Sequence, residues 1–203
     1  MSQHPLSVLV RPAQPADRTA VQRVILEAFG AEGVTADEAP RIVELVGALD
    51  ATGHTQVSLV AEVDGAVVGH TQLSRSWVDA REALVEVMVL APLSVVPDRQ
   101  RQGVGAALVA AALEAARSLA SPAVFLEGDP AYYGRLGFVR ASELGFARPS
   151  PRIPDPAFQV VVLPGHEPWM SGPLVYCDPF WALDCVGLRD PLLAELEQRF
   201  ADG

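Results

Sequence analysis

Apolar residues recur at helical spacing in several segments of the chain. After Pro15-Ala16-Asp17, with Asp17 as the predicted N-cap, one face carries Val21, Val24, Ile25 and Ala28. The same reading predicts helices over Ala39–Leu49, over Gly103–Ala120 and after Asp190-Pro191, and a short one from Pro130 to Leu136.

Runs of β-type residues lie between these segments. Strands are predicted over Ser7–Arg11, Val57–Val63, Ala66–Ser74, Ala83–Val96, Ala123–Glu127 and Phe158–Leu163. Asp64-Gly65 signals a hairpin, and Pro92 predicts a bulge or a broken ladder in the longest strand. The order predicts the α/β (α+β) class, with a mixed central sheet of six to seven strands and helices on both faces. Prolines punctuate the chain after Leu144, so we predict a core of residues 1–145 and an extension of residues 146–203, with one strand and a final helix packed on the same domain.

Composition narrows the class of protein. The 203 residues carry a net charge of -10, which argues against a nucleic-acid surface because such surfaces need clustered Lys and Arg. The two cysteines, Cys177 and Cys185, and the four scattered histidines show no metal-ligand spacing, so no metal is expected. No signal peptide and no apolar run long enough to span a membrane is found, which predicts a cytoplasmic protein.

One segment has the makings of an anion site. In Gln100-Arg101-Gln102-Gly103-Val104-Gly105, two glycines stand at the head of a long helix, where backbone N–H groups lack acceptors and the helix dipole is positive. Arg99 and Arg101 add charge. A dinucleotide fingerprint would need glycine where Leu108 stands, and a P-loop would need a lysine that this segment lacks. The residues alone leave open an anion loop of undefined ligand and a helix cap that only packs closely.

Three motifs in order resemble the GNAT N-acetyltransferase superfamily. They are Val10-Arg11-Pro12-Ala13 with Asp17, then Leu93-Ser94-Val95-Val96-Pro97 leading into the glycine loop, then Tyr132-Tyr133-Gly134-Arg135-Leu136-Gly137-Phe138. The longer string from Gly128 to Phe138, with Ala157-Phe158-Gln159-Val160 and Gly172-Pro173-Leu174-Val175-Tyr176, is similar to the YhbS-like predicted acetyltransferases.

The resemblance implies a GNAT fold and acetyl-CoA as the donor. It implies that Leu93, Ser94 and Val95 hold the pantetheine arm through their backbone. It assigns the pyrophosphate to Gln100, Arg101, Gln102, Gly103, Val104, Gly105 and Ala106, with Arg99 beside them. Asp129, Tyr132 and Arg135 would border the far side of the donor.

The same resemblance implies direct transfer to an amine, with Tyr133 as the acid that protonates the leaving thiolate. The base is less defined. A strand position that carries glutamate in many relatives falls on Val89, whereas Glu86 lies on the same strand and could act through a water. His70 and Glu127 are further candidates, and each of these charges has an ordinary structural interpretation as well.

The acceptor is left open between a small amine and a protein amine. Its site is expected among three regions: Phe29–Pro40, Arg75–Glu82, and a C-terminal part with His166, Trp169, Tyr176 and Trp181. No nucleic-acid or membrane partner is expected, and the chain could be a monomer or a homodimer. Two alternatives to the enzyme are an acyl-CoA-binding sensor with little turnover, and a structural or interaction domain.

Overall fold

The computed structural model describes residues 7–30 and 38–201. Within them, the helices are α1 (Arg18–Gly30), α2 (Glu38–Ala51), α3 (Val104–Ser118), α4 (Pro130–Tyr133), α5 (Asp178–Ala182) and α6 (Leu192–Ala201). All the predicted helices are found, with their ends shifted by a few residues, and α5 is an additional short helix.

The role predicted for Asp17 at the start of α1 is wrong. A 3₁₀ turn, Pro15–Asp17, precedes the helix, and Gln14 is its N-cap. The Asp17 carboxylate instead accepts hydrogen bonds from the Gln14 N–H and from Arg11 Nη1, both at 2.7 Å. These two donors lower the pKa of Asp17 to about 2, so the carboxylate joins the start of α1 to β1.

The strands form one mixed sheet. They are β1 (Leu9–Pro12), β2 (Thr55–Val63), β3 (Ala66–Asp79), β4 (Leu84–Val95), β5 (Ala123–Glu127), β6 (Val139–Arg140), β7 (Phe158–Val162) and β8 (Leu174–Val175). The order is β1-β2-β3-β4-β5-β7-β6, and β8 pairs with β3. The predicted α/β class is confirmed. Among residues 7–30 and 38–201 the sheet has eight strands rather than six to seven, because β6 and β8 are two residues long, too short to give a pattern.

The strand β4 continues past Pro92 to Val95, and the bulge or broken ladder predicted there stays a prediction. The Pro92 carbonyl accepts a hydrogen bond from Thr71 Oγ1 on β3 at 2.9 Å. β4 pairs in parallel with β5 at Met88–Val124 and Val89–Phe125, whereas β5 and β7 are antiparallel. The sheet is therefore mixed at its centre.

The described residues divide into two compact units, the first with 7–30, 38–73 and 91–115, and the second with 74–90 and 116–201. In the first unit, the apolar faces of α1 and α2 are buried, with Ile25 and Leu49 fully inaccessible. There α3 lies close to β3 at Gly69, where a Cβ atom would stand 2.9 Å from Leu108 Cδ1 and 3.2 Å from Val104 Cγ1. A glycine on β3 thus lets the start of α3 approach the sheet.

The core of the second unit is built on aromatic rings. Phe125 of β5 meets Phe146 edge-on at 4.9 Å and lies parallel to Phe158 at 5.7 Å. The predicted boundary at residue 145 falls inside this unit and stays a prediction. The segment after it holds β7, β8, α5 and α6, where one strand and one helix are predicted from the sequence.

Candidate active site

The loop between β4 and α3 has the backbone of an anion site. A 3₁₀ turn, Pro97–Arg99, follows the strand, and Arg101 and Gly103 then have positive φ values of 57° and 89°. Gln100, between the turn and Arg101, is extended, with φ -68° and ψ 159°. Positive-φ residues just before a helix start can turn backbone N–H groups toward one anion, and the stretch from Arg101 to Gly103 is called the nest below. The nest leads into the first turn of α3, where Val104, Gly105 and Ala106 contribute N–H groups without intrahelical acceptors.

The side chains of two residues predicted to hold the pyrophosphate brace this loop. Gln100 Nε2 donates to the Val95 carbonyl at 3.1 Å, and Gln102 Nε2 donates to the Asp98 carbonyl at 2.7 Å. Their amide groups hold the loop between strand and helix.

The predicted donor-arm segment lies just before the loop. Leu93 is half-buried, whereas Ser94 and Val95 are buried at the end of β4. The backbone continues into Val96, whose N–H donates to the Val68 carbonyl of β3 at 3.0 Å. The end of β4 is thus fixed to its neighbour on one side.

The segment around Tyr133 is tightly built. Asp129 Oδ1 accepts the Ala131 N–H at 2.8 Å, and the Asp129 carbonyl accepts the Tyr133 N–H at 3.0 Å. The Tyr133 ring contacts Tyr132 and Phe138 edge-on, at 4.9 and 5.7 Å. Its ring also lies on Gly128, where a Cβ atom would overlap with the ring. This contact between Gly128 and the Tyr133 ring was not predicted from the sequence, although a glycine directly before Asp129-Pro130 could have indicated it.

Tyr132 and Arg135 lie together on the same segment. The Arg135 guanidinium carbon is 6.0 Å from the centre of the Tyr132 ring. Burial raises the pKa of Tyr132, and the nearby Arg135 charge opposes that rise. Four predicted site residues thus lie on α4 and the turns at its two ends: Asp129, Tyr132, Tyr133 and Arg135.

Glu86 is half-exposed on β4. Its carboxylate pairs with the Arg75 guanidinium of β3 at 3.1 Å. Val89, on the same strand, is buried. The predicted base, Glu86, is thus an ion-paired carboxylate on a strand. Its partner Arg75 lies on another strand, and the sequence around Glu86 does not indicate it.

His70 is a core residue. It is fully buried, and burial lowers its pKa to about 4, so the ring is neutral. Its Nε2 atom lies 3.1 Å from Ser58 Oγ on β2. The geometry fits a structural histidine.

Glu127 ends β5 and is enclosed. Tyr176 Oη donates to its Oε1 at 2.7 Å, and the Gly187 N–H donates to its Oε2 at 3.0 Å. Burial raises the pKa of Glu127 to about 7, although both donors and the Arg152 charge oppose that rise. Both carboxylate oxygens thus already accept hydrogen bonds, and a role of Glu127 as the base stays a prediction.

Two of the regions expected to bind the acceptor meet around a cavity. It measures about 420 Å³ and is lined by Arg81 and Glu82, before β4, and by Trp169 and Ser171. Trp169 Nε1 donates to Glu167 at 3.2 Å, which fixes the indole. Tyr176 and Trp181 lie elsewhere, since Tyr176 is buried against Phe180. Most of the first region, residues 31–37, lies outside the described residues.

Within residues 7–30 and 38–201, no three His, Cys, Asp or Glu side chains come together as a metal site. In the same ranges, no helix has the length and apolar character needed to cross a bilayer. Burial raises the pKa of the Cys177 thiol to about 11, and Cys185 Sγ donates to the Leu183 carbonyl at 3.5 Å.

Comparison with known proteins points in one direction. The family model for the acetyltransferase (GNAT) family matches residues 23–146. The uncharacterized N-acetyltransferase YjhQ of Escherichia coli K12 is 31% identical over 140 residues, which cover 68% of this chain and 74% of that protein.

Two solved structures are similar over most of the chain. The GNAT-family N-acetyltransferase YhbS of Escherichia coli, in complex with CoA, has a TM-score of 0.75 and 27% identity, covering 89% of this chain and 95% of its own. A GNAT-family acetyltransferase from Brucella melitensis, in complex with acetyl-CoA, has a TM-score of 0.69 and 28% identity, covering 87% and 99%. On the family match, the relative and the shared fold together, this chain belongs to the GNAT family of acetyltransferases.

Proposed function

We propose that the chain transfers an acetyl group from acetyl-CoA to a primary amine by direct attack. The observation that carries the proposal is the nest at Arg101 and Gly103 leading into α3. The nest fits a pyrophosphate, because backbone N–H groups can donate to the phosphate oxygens and the segment carries two arginines, Arg99 and Arg101. The similar proteins from Escherichia coli and Brucella melitensis were solved with CoA and acetyl-CoA, which supports the same donor here.

Acetyl-CoA would supply the activated acyl group, and the chain would supply positions and protons. The backbone of Leu93–Val95 would hold the pantetheine arm, and Gln100–Ala106 the pyrophosphate. Asp129, Tyr132 and Arg135 would border the donor.

Two proton movements are needed. The acceptor must lose a proton, since a lysine-like amine has a pKa of about 10.4 in water. The leaving thiolate must gain one, and we assign this to the Tyr133 phenol, whose ring is immobilised on Gly128. Glu86 would receive the amine proton through a water. The proposal includes a cytoplasmic location, an acceptor that is a small amine or a protein amine, and a monomer or homodimer.

The test is acetyl transfer itself. Thiol release from acetyl-CoA is measured against a panel of small amines and lysine peptides. Tyr133→Phe is expected to lower kcat by about 100-fold, the range of general acid catalysis, while KM for acetyl-CoA changes little. Gly105→Trp should abolish donor binding in calorimetry, because its side chain would fill the start of α3. A folded protein that binds neither CoA nor acetyl-CoA would reject the proposal.

A second candidate is an acyl-CoA-binding sensor with little turnover. Valine at position 89 and the engagement of Glu86 by Arg75 favour it, because neither leaves a free carboxylate on β4. It predicts donor binding that Gly105→Trp removes, and no thiol release with any amine. Turnover that falls in Tyr133→Phe excludes this candidate.

A further inference from the structure

The carboxylate of Glu127 joins two parts of the second unit. Its residue ends β5, directly before Gly128, on which the Tyr133 ring lies. Its two oxygens accept from Tyr176 Oη and from the Gly187 N–H, which both belong to the C-terminal part of the chain. A single side chain therefore connects the turn beneath Tyr133 to a segment about 50 to 60 residues further along the sequence.

Both donors are themselves held in place. The Tyr176 ring is buried and stacks on Phe180 at 4.8 Å. Gly187 lies against the Arg152 carbonyl, and the next N–H, of Leu188, donates to that carbonyl at 3.0 Å. Packing and backbone hydrogen bonds therefore fix the positions of both donors, Tyr176 Oη and the Gly187 N–H.

The turn beneath Tyr133 is fixed from the other side as well. The Gly128 N–H donates to the Ala157 carbonyl at 3.0 Å, and its own carbonyl accepts Gln159 Nε2 at 3.0 Å. The Gly128 backbone is thus held by β7 and its preceding turn, and by Glu127 through the C-terminal segment. The Tyr133 ring lies directly on Gly128, so a shift of the Gly128 backbone would move the ring as well.

We propose that Glu127 is a positioning residue, through which the segment from Tyr176 to Gly187 orients Tyr133. The inference rests on the proposed function only in taking Tyr133 as the acid. The C-terminal extension is then part of the catalytic machinery. Glu127 is partly buried and both of its oxygens accept hydrogen bonds, so removing the carboxylate takes this acceptor from Tyr176 Oη and from the Gly187 N–H.

The test uses the full chain with three variants. Glu127→Gln keeps an acceptor for Tyr176 but turns an amide N–H₂ group toward the Gly187 N–H, and Tyr176→Phe removes one hydrogen bond while the ring stays on Phe180. Glu44→Gln, an exposed glutamate on α2, is the matched control. The chain has 3 tyrosines, so ¹³C-labelled tyrosine gives three ring signals, which Tyr→Phe variants assign.

We expect kcat to fall about tenfold in Glu127→Gln and Tyr176→Phe, with KM for acetyl-CoA within about twofold of the wild type, a pattern of lost transition-state alignment. The Tyr133 ring signal should shift or broaden in both, and in Glu44→Gln neither quantity should change. Folded variants with unchanged kcat and an unchanged Tyr133 signal overturn the proposal. A uniform fall of kcat that follows only lost thermal stability overturns it too.

Two safeguards keep the outcomes separate. If Glu127→Gln does not fold, Tyr176→Phe alone decides, because it leaves the carboxylate with the Gly187 N–H and its packing intact. If Tyr133→Phe leaves kcat unchanged, the acid assignment fails, but the Tyr133 signal still reports whether Glu127 orients that ring.

Discussion

His70 is buried, Glu127 is partly buried, and the surroundings shift the pKa values of the two side chains in opposite directions. For His70 the pKa falls from 6.5 to about 4, and for Glu127 it rises from 4.5 to about 7. In both cases burial is the largest cause, because it disfavours the charged form. Each group is therefore neutral in the folded chain over a range where it is charged in the unfolded chain.

The two groups act oppositely on stability as the pH changes. Between about pH 4.5 and 7, folded Glu127 keeps a proton that the unfolded chain releases, so its contribution falls as the pH rises. Between about pH 4 and 6.5, folded His70 lacks a proton that the unfolded chain binds, so its contribution rises with pH. The two trends offset each other across most of this window.

Replacing one of the two side chains should reveal the pH dependence of stability that the other one causes. In Glu127→Gln, the free energy of unfolding relative to the wild type is expected to increase by about 3 kcal/mol from pH 4.5 to 7, at about 1.4 kcal/mol per pKa unit. His70→Gln should show the opposite slope between pH 4 and 6.5. Urea unfolding at a series of pH values measures both. Parallel curves for wild type and variants would show that these groups have unshifted pKa values.

Gly128 gives a prediction about Tyr133. In Gly128→Ala, the new methyl group would overlap with the Tyr133 ring and displace it, so kcat should fall at least tenfold. Gly134→Ala is the matched control, because Gly134 has helical backbone and open space at its Cβ position. Activity assays and circular dichroism of both variants provide the check. Equal activity of the two would mean that the seat of Tyr133 does not matter.

At this scale the sequence shows which residues carry the family's motifs, but not what they touch. The glycine loop and Tyr133 follow from local strings. The partners of Glu86 and Glu127, namely Arg75, Tyr176 and Gly187, are 11, 49 and 60 residues away. Such pairs depend on strand register and on loop paths, which a single sequence does not reveal.

Among the elements of the first unit, α3 and its preceding loop are held by several contacts. The strand end, the two glutamine side chains and the close approach of α3 to Gly69 on β3 all hold the helix start. A preorganised anion site needs such bracing, because ordering a loop upon binding would cost affinity. The two glutamine side chains thus have a structural role beside the backbone role predicted for these residues.

Helix α2 carries a glycine that nothing in its surroundings requires. Gly47 is exposed in the middle of the helix, and its Cβ position is open. Gly47→Ala is expected to stabilise the chain by about 0.5 to 1 kcal/mol, because alanine loses less backbone entropy in a helix. Thermal unfolding measures the gain, and activity should be unchanged. A lower melting temperature would mean that the site is not open.

Long elements were predictable because periodicity accumulates with length. Helices α1, α2, α3 and α6 and strands β2 to β5 each show several repeats of their spacing. The two-residue strands β6 and β8 have no repeat at all. They form by pairing with β7 and β3, strands whose positions their own short sequences do not indicate.

For the whole molecule, donor binding should appear as added stability. A ligand at 100 times its Kd that binds only the folded chain adds about 2.7 kcal/mol. For a chain of this length that is a rise in Tm of about 5 to 10 °C. Differential scanning fluorimetry with acetyl-CoA measures it, and Gly47→Ala should keep the rise while Gly105→Trp loses it. A wild-type Tm that acetyl-CoA leaves unchanged would contradict the donor assignment.

The short pairing of β8 with β3 has a consequence for solubility. It occupies the main-chain groups of Trp77 and Val78 through Val175 and Leu174. An uncovered strand edge recruits strands from other molecules, and proteins protect such edges with short added strands, charges or prolines. The edge strand β1, at one end of the strand order, carries Arg11 and Pro12. A chain cut before Leu174 would therefore leave the main-chain groups of Trp77 and Val78 uncovered, and we expect such a chain to self-associate.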